Sequence, residues 1–295
     1  MGNLEMRKFP LFFLGLSGIL SVLMFCLELD AGENPKADER NPQRIVSLCL
    51  PVTEIICQMG MEDRIVGICE GDCPEKVKGK PKVGKAFGIL NVEAVIALKP
   101  DLVFCWGDGR VLMERGLKIY SLHAKDLDGV IKLVEEVADL LGEKQKAVVM
   151  VAAMSEEISM INKKMLPVKA KPLIYFEAGS TGRTRGPGSL TNELIEKAGG
   201  SNLAGNEKVS FPLLSTEFII ASNPDIILVE DFGESNERIK VRSGWQDLKA
   251  VKNNRIFRCP SYYTNYSPRC VEGLEQFAHW FHPGLFAKEP VPKNE

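Results

Sequence analysis

The chain has 295 residues, with 37 Lys and Arg against 39 Asp and Glu and a formal net charge of -2. That length suffices for two domains with cores of their own. The near balance of charge, without a basic stripe, argues against a nucleic-acid partner, and no block of like charges marks an interaction tail.

The N-terminal residues 1–29 read as a targeting segment. Arg7 and Lys8 precede an uncharged apolar run over 9–27, which Glu28 closes. The run is long for a secretory signal core and just long enough to span a bilayer. Cys26 stands where a bacterial lipoprotein carries its lipid, although Leu23, Met24 and Phe25 are larger than the residues such a site prefers. A cleaved signal, a lipid anchor and a retained apolar anchor all put the rest of the chain outside the cytoplasmic membrane. Residues 30–43, polar and with two prolines, read as a tether.

From residue 44 strand and helix patterns alternate, which indicates parallel sheet. Strands are expected at 44–48, 64–68 and 118–122, and a helix opens at Pro51 and ends at Gly60. Val130, Leu133, Val134, Val137 and Leu141 recur at helical spacing over 127–141, and Gly142 stops that helix. The stretch 143–166 contains neither Pro nor Gly. At about 1.5 Å per residue it would be roughly 36 Å long, enough to join two lobes and limit their relative movement. A second set follows: a strand at 173–176, a helix from Ser189 to Lys197 closed by Gly199 and Gly200, a strand at 256–258 and a terminal helix over 269–281.

One phrase occurs twice. Residues 93–104 (EAVIALKPDLVF) recur as 217–228 (EFIIASNPDIIL), with Glu, Ile, Ala, Pro and Asp in the same places. Each copy reads as a short helix broken at Pro and then a buried strand. Copies so far apart are no solenoid. They predict two similar α/β lobes, hence a cleft, with the boundaries 44–142, 143–166 for the linking helix, 167–288 and a tail at 289–295. Ligands of open α/β sheets lie beyond the carboxyl ends of the strands, which points to the segments after Leu48, Ile68, Phe104, Phe176, Leu228 and Arg258.

These phrases resemble, in order, a substrate-binding protein of an ABC importer from the group that handles cobalamin, siderophores and haem. The resemblance rests on 44–48 (RIVSL) with Thr53-Glu54-Ile55, 64–67 (RIVG), 99–103 (KPDLV), 186–189 (GPGS), 198–203 (AGGSNL) and 267–269 (SPR). It implies two Rossmann-like lobes with parallel sheets joined by one long helix, and a monomer. It implies as partners a metal chelate, whose iron or cobalt belongs to the ligand so that the protein needs no cofactor or metal site of its own, and a permease with its ATPase.

Trp106, on a loop with Gly107, offers a flat face at little entropic cost and matches a Trp of the cobalamin binders; the alternative is a Trp packing its own loop. Phe211 matches another aromatic of that pocket and is equally readable as core. Tyr262, Tyr263 and Tyr266 crowd a loop that faces the cleft in the family. Glu177, Arg183 and Arg185 flank a Gly-rich turn, where an Arg fork suits a ligand carboxylate or phosphate, or the turn is simply solvated. The cobalamin binders place an Asp near Ser261, and this sequence has none there. Glu217 matches an acidic docking residue of the C-terminal lobe, with Glu114 as the N-terminal counterpart.

Seven cysteines follow Cys26. Export favours disulfides, and a Cys259–Cys270 bridge would staple the Tyr loop; the pair is also readable as two thiols. Cys69, Cys73 and Cys105 lack the paired spacing of a thiolate metal site, and His123, His279 and His282 form no zinc motif. No nucleophile–base pair, Gly-x-Ser-x-Gly or cofactor loop indicates an enzyme. The competing readings are a membrane-anchored ligand sensor and a Cys-ligated metalloprotein component.

Overall fold

The computed structural model describes residues 41–71, 74–85, 89–107 and 109–286. The targeting segment with Cys26, the tether up to residue 40, Cys73 and the tail at 289–295 lie outside the described residues.

The N-terminal lobe runs β1 (Ile45–Ser47), α1 (Leu50–Gln58), β2 (Ile65–Glu70), β3 (Lys82–Lys85), α2 (Val92–Ala97), β4 (Leu102–Trp106), α3 (Arg110–Met113), β5 (Ile119–Leu122) and α4 (Leu127–Leu140). Its strands lie in the order β3-β2-β1-β4-β5 and all pair in parallel. The long helix α5 (Lys144–Met165) follows. The C-terminal lobe comprises β6 (Leu173–Glu177), α6 (Leu190–Lys197), β7 (Ser201–Asn202), α7 (Thr216–Ser222), β8 (Ile226–Glu230), α8 (Asn236–Lys240), α9 (Lys249–Lys252), β9 (Ile256–Cys259) and α10 (Cys270–Phe281). Its parallel order is β7-β6-β8-β9.

The apolar runs explain this arrangement, because a strand buried on both faces must be covered on both. Three cores result. One lies on the outer face of the N-terminal sheet, around Val46, Val95, Val103 and Leu112. Another lies on the outer face of the C-terminal sheet, around Tyr175, Ile219, Val229 and Trp245. The third is continuous across both lobes and joins Ile45, Ile55 and Phe104 to Phe176, Leu274 and Phe277. Helix α5 contributes Ala147, Met154 and Ile161 to it, one residue in every seven, and packs against both α4 and α10. The lobes are thus fused through a shared core as well as linked by a helix.

The repeated phrase performs the same structural task twice. Asp101 N–H donates to Arg44 O at 2.9 Å, and its carboxylate accepts from Arg44 N at 2.9 Å and Gln43 N at 2.8 Å. Asp225 N–H donates to Leu173 O at 2.9 Å, and its carboxylate accepts from Leu173 N at 2.8 Å. In each lobe the Pro ends the helix and the Asp clamps the start of the lobe's first strand. Both helices are capped by a side chain, Asn91 Oδ1 accepting from Ala94 N and Ser215 Oγ from Phe218 N. Among the described residues no helix is long and apolar enough to cross a membrane.

Candidate functional site

Strand order fixes where a ligand can sit. In the N-terminal sheet the order reverses between β1 and β4, and in the C-terminal sheet between β6 and β8. Chains leave these neighbouring strands in opposite directions, opening a crevice at their carboxyl ends. A cavity of about 860 Å³ lies there, walled by Ser47, Leu50 and Trp106 from one lobe and Arg185, Glu230 and Tyr266 from the other. Its size falls in the range of small-molecule sites.

Four expected residues meet in this cleft: Trp106, Arg185, Phe211 and Tyr266. Trp106 ends β4, and its ring meets that of Tyr266 edge to face, with centroids 5.7 Å apart, directly across the lobes. Burial raises the Tyr266 phenol above its ordinary value, with nearby Arg185 opposing the rise. Arg185 and Phe211 arrive on two segments that run side by side. Gly186 N donates to Ser210 O, Thr184 N to Pro212 O, and Leu214 N to Gly182 O. A Cβ at Gly182 would stand 2.4 Å from Leu214 O, and one at Gly186 would stand 2.6 Å from Val209 O. The glycines of this turn therefore permit close backbone approach. The Arg185 guanidinium lies 5.3 Å from the Phe211 ring centroid, and its Nη2 donates to Glu230 Oε1 at 3.2 Å.

The other expected contacts are elsewhere. Glu177 is fully buried beside the outer C-terminal core, held by Arg242 through two hydrogen bonds of 2.6 and 2.7 Å, and its Oε2 also accepts from Tyr175. Burial alone would lower the Arg242 guanidinium, but its bonds to Glu177 and Glu234 outweigh that and hold it more strongly basic. The ending of β6 at a switch point made Glu177 look like a ligand group; its demand is met inside the lobe. Arg183 is exposed, on a bridge with Leu213, and does not line the cavity. Tyr262 lies under the Arg269 guanidinium, 3.4 Å from ring centroid to Cζ. Tyr263 packs on Trp280, and burial with the Tyr262 neighbour pushes its phenol up to about 12. Of the three tyrosines only Tyr266 reaches the cleft, since the short helical turn over 261–263 rotates the other two toward α10.

The Cys259–Cys270 bridge does not form. Cys259 ends β9 and Cys270 opens α10, each a free thiol embedded in the shared core. Burial raises both thiols well above their ordinary range, Cys259 further through Glu230 and Cys270 further through Glu193. Among the described residues no group of three or more His, Cys, Asp or Glu converges to hold a metal. His282 approaches Gly199 O at 3.1 Å, and His279 stacks on Phe286. Glu217 is exposed in the first turn of α7, and Glu114 is exposed at the end of the short helix α3.

Sequence reasoning missed the acidic wall of the cleft. Glu70 ends β2, Glu230 ends β8, and Asp231 follows it. The strand-end rule pointed to these segments without choosing residues in them. Asp231 Oδ2 accepts from Ser261 N at 3.2 Å. An aspartate thus does stand at Ser261, delivered from β8 rather than from the Tyr loop. Glu230 is 4% exposed, and its Oε2 has no hydrogen-bond partner. Burial raises its carboxyl, with Arg185 opposing and Asp231 reinforcing the rise.

Comparison with known proteins places this geometry. An ABC transporter substrate-binding lipoprotein of Bacillus subtilis, YvrC, is 29% identical over 280 residues, covering 87% of this chain and 85% of its own. A cobalamin-binding protein of Halobacterium salinarum is 27% identical over 275 residues, covering 86% of this chain and 73% of its own. The apo structure of RhuT, a periplasmic haem-binding protein of Roseiflexus, superposes with a TM-score of 0.73 at 27% identity, covering 82% of this chain and 99% of that one. The sequence profile of the periplasmic binding protein family matches residues 45–263, and with two parallel-sheet lobes around one cleft the chain belongs to that family.

Proposed function

We propose that this protein is the extracytoplasmic receptor of an ABC importer, which captures a metal chelate in the interlobe cleft and delivers it to the permease. The observation that carries the reading is the cleft itself. Its floor is an aromatic bridge between lobes, Trp106 on Tyr266, flanked by Phe211 and Phe232. Such rings present flat apolar area at low conformational cost, as a planar macrocycle or aromatic chelator requires. The similarity to a cobalamin-binding protein and a haem-binding protein supports this ligand class, and that to a substrate-binding lipoprotein supports a place at the outer membrane face. Binding, rather than bond making, is the activity.

Docking follows from the internal repeat. Glu93 and Glu217 occupy the same place in the two copies, each exposed in the first turn of a side-chain-capped helix. That equivalence favours Glu93 over Glu114 as the N-terminal docking residue, and the signal lay in the repeat all along. Charge reversal at both, Glu93→Lys with Glu217→Lys, is expected to abolish transport while leaving ligand affinity unchanged.

The test of the receptor reading is calorimetric titration of the purified protein with cyanocobalamin, haemin and a panel of ferric chelates, alongside Trp fluorescence. Trp245 is fully buried and Trp280 packs on Phe257 and Phe277, so quenching that vanishes in Trp106→Ala reports the cleft. Submicromolar binding of one chelate, weakened about tenfold or more by Trp106→Ala with the melting temperature unchanged, is the expected result. Failure of every chelate to bind would leave the sensor reading in front.

A further inference from the structure

We infer that the cleft selects an uncharged or cationic metal macrocycle bearing peripheral carboxamides, as corrinoids do, and rejects chelates that present carboxylates or catecholate oxygens. This inference deepens the receptor reading and rests on it.

Among the described residues the wall carries three acidic side chains, Glu70, Glu230 and Asp231, against one cation, Arg185. That cation is already engaged, ion-paired to Glu230 at 3.2 Å and laid against the Phe211 ring. Three further guanidinium groups of the C-terminal lobe are engaged outside the cleft. Arg242 is locked on Glu177 and Glu234, and Arg269 pairs with Glu272. Arg258 donates to the carbonyls of Asp231, Gly233 and Glu234, and so braces the loop that presents Asp231. Lys85 and Arg110 line a separate recess of about 260 Å³, which adjoins the cleft at Cys69 and Trp106. An incoming carboxylate would therefore meet carboxylates on the wall and, among the described residues, find no uncommitted cation on it; like charges brought close disfavour one another.

Glu230 sharpens the preference. It is 4% exposed, lines the cleft, and leaves Oε2 without a protein partner. A buried carboxyl oxygen in that state needs a hydrogen-bonding group from the ligand. Ionised, Glu230 accepts only; protonated, it can also donate. A carboxamide serves both states, offering N–H to the first and C=O to the second. A ligand carboxylate serves only the protonated one. The remaining polar wall is neutral, with Thr191, Thr264 and Asn265 suited to amides.

The test is calorimetry of the purified protein with cyanocobalamin, diaquocobinamide, haemin and a ferric tris-catecholate, each at low and high salt. Both corrinoids are expected to bind about tenfold or more tighter than either anionic chelate. Raised salt should weaken the cationic cobinamide and leave cyanocobalamin nearly unmoved. Glu70→Gln, at an exposed strand end, should reduce that salt dependence and narrow the gap to haemin without changing the melting temperature. Asp231→Asn should act in the same direction. Haemin or the catecholate binding as tightly as the corrinoids would overturn the charge selection and leave the receptor reading standing. Absence of binding by all four would overturn both.

Discussion

The two lobes share a topology and a repeated phrase yet furnish their halves of the cleft differently. The N-terminal half is largely apolar, with Leu50, Pro51, Ala124 and Trp106, and Glu70 is the one charge among its described residues. The C-terminal half holds Arg185, Glu230 and Asp231 and three aromatic rings. Internal groups differ likewise: buried thiols occur in both lobes, but the carboxylate–guanidinium pairs at Glu177 and Glu230 belong to the C-terminal one. Duplicated architecture thus fixes where the cleft lies, while the strand ends of each lobe decide what it recognises. The N-terminal lobe offers a surface to lie on, and the C-terminal lobe supplies polarity.

Separating structural from ligand-facing charge in the C-terminal lobe gives the largest expected effect. Arg242→Met would strand the fully buried Glu177 carboxylate, a change that costs about 3–5 kcal/mol when one partner of a buried pair is removed. The melting temperature should fall steeply, and the double variant Glu177→Gln with Arg242→Met should recover part of the loss. Chelate affinity of whatever remains folded should be unaffected. Loss of affinity in Glu177→Gln at unchanged stability would return Glu177 to the cleft.

The lobes can also be compared through their aromatic walls. Trp106 is half-buried and bridged to Tyr266, whereas Phe211 is 64% exposed. Calorimetry should show Trp106→Ala weakening the chelate about tenfold or more and Phe211→Ala only a few-fold, because a stacked, desolvated ring contributes more. Equal losses would mean that the cleft closes over Phe211 when the ligand binds.

The architecture was legible because it rests on periodicity and punctuation. The phrase ending in Pro-Asp gave two lobes, and 143–166 anticipated Lys144–Met165 within one residue at each end. The shared core was not legible, since nothing local says that Met154 and Phe277 pack into one cluster. At the site, Trp106, Phe211 and Tyr266 come together at the cleft, whereas Glu177 does not line it. Glu177 and Glu230 both close strands at the same switch point. One meets Arg242, 65 positions away along the chain, and the other meets Arg185 and the cleft. Pairings at such separations are made by tertiary packing, so sequence spacing could not distinguish the two acids. Tyr262 and Tyr263 lie off the cleft for a similar reason, a local helical turn aimed at α10.

Glu230 and Glu177 should also differ in titration. Burial raises the Glu230 carboxyl above the ordinary 4.5, against Arg185 and with Asp231, and Cys259 senses the same charge. A carboxyl raised on folding contributes stability that is fully present below its unfolded value and is lost as pH rises through its folded value. Stability of the protein relative to Glu230→Gln should therefore decline as pH increases above 4.5, by up to about 1.4 kcal/mol per unit until the folded group has ionised. Thermal melts across that window read the difference. A constant difference, or one of opposite sign, would show that Glu230 is ionised throughout and that the Arg185 pair outweighs burial.

The smallest effect lies in the repeat itself, where the two copies diverge at one strained position. The residue before each Pro is left-handed, Lys99 with φ 47° and Asn223 with φ 48°. Asn tolerates this conformation, and its Oδ1 accepts from Lys249 N at 2.8 Å. The Lys99 side chain offers no such acceptor; its backbone N–H donates to Ile96 O at 2.9 Å, and Arg44, just before the first strand, reaches the Leu98 and Lys99 carbonyls. Lys99→Asn should relieve part of the left-handed penalty and stabilise the N-terminal lobe by about 0.5–1 kcal/mol. Asn223→Lys should cost more than that, because it adds the penalty and also breaks the bond to Lys249. Denaturant midpoints of the two variants measure the asymmetry directly. Equal and opposite shifts would mean that backbone strain alone separates the copies, and that the Lys249 contact in the C-terminal lobe contributes nothing.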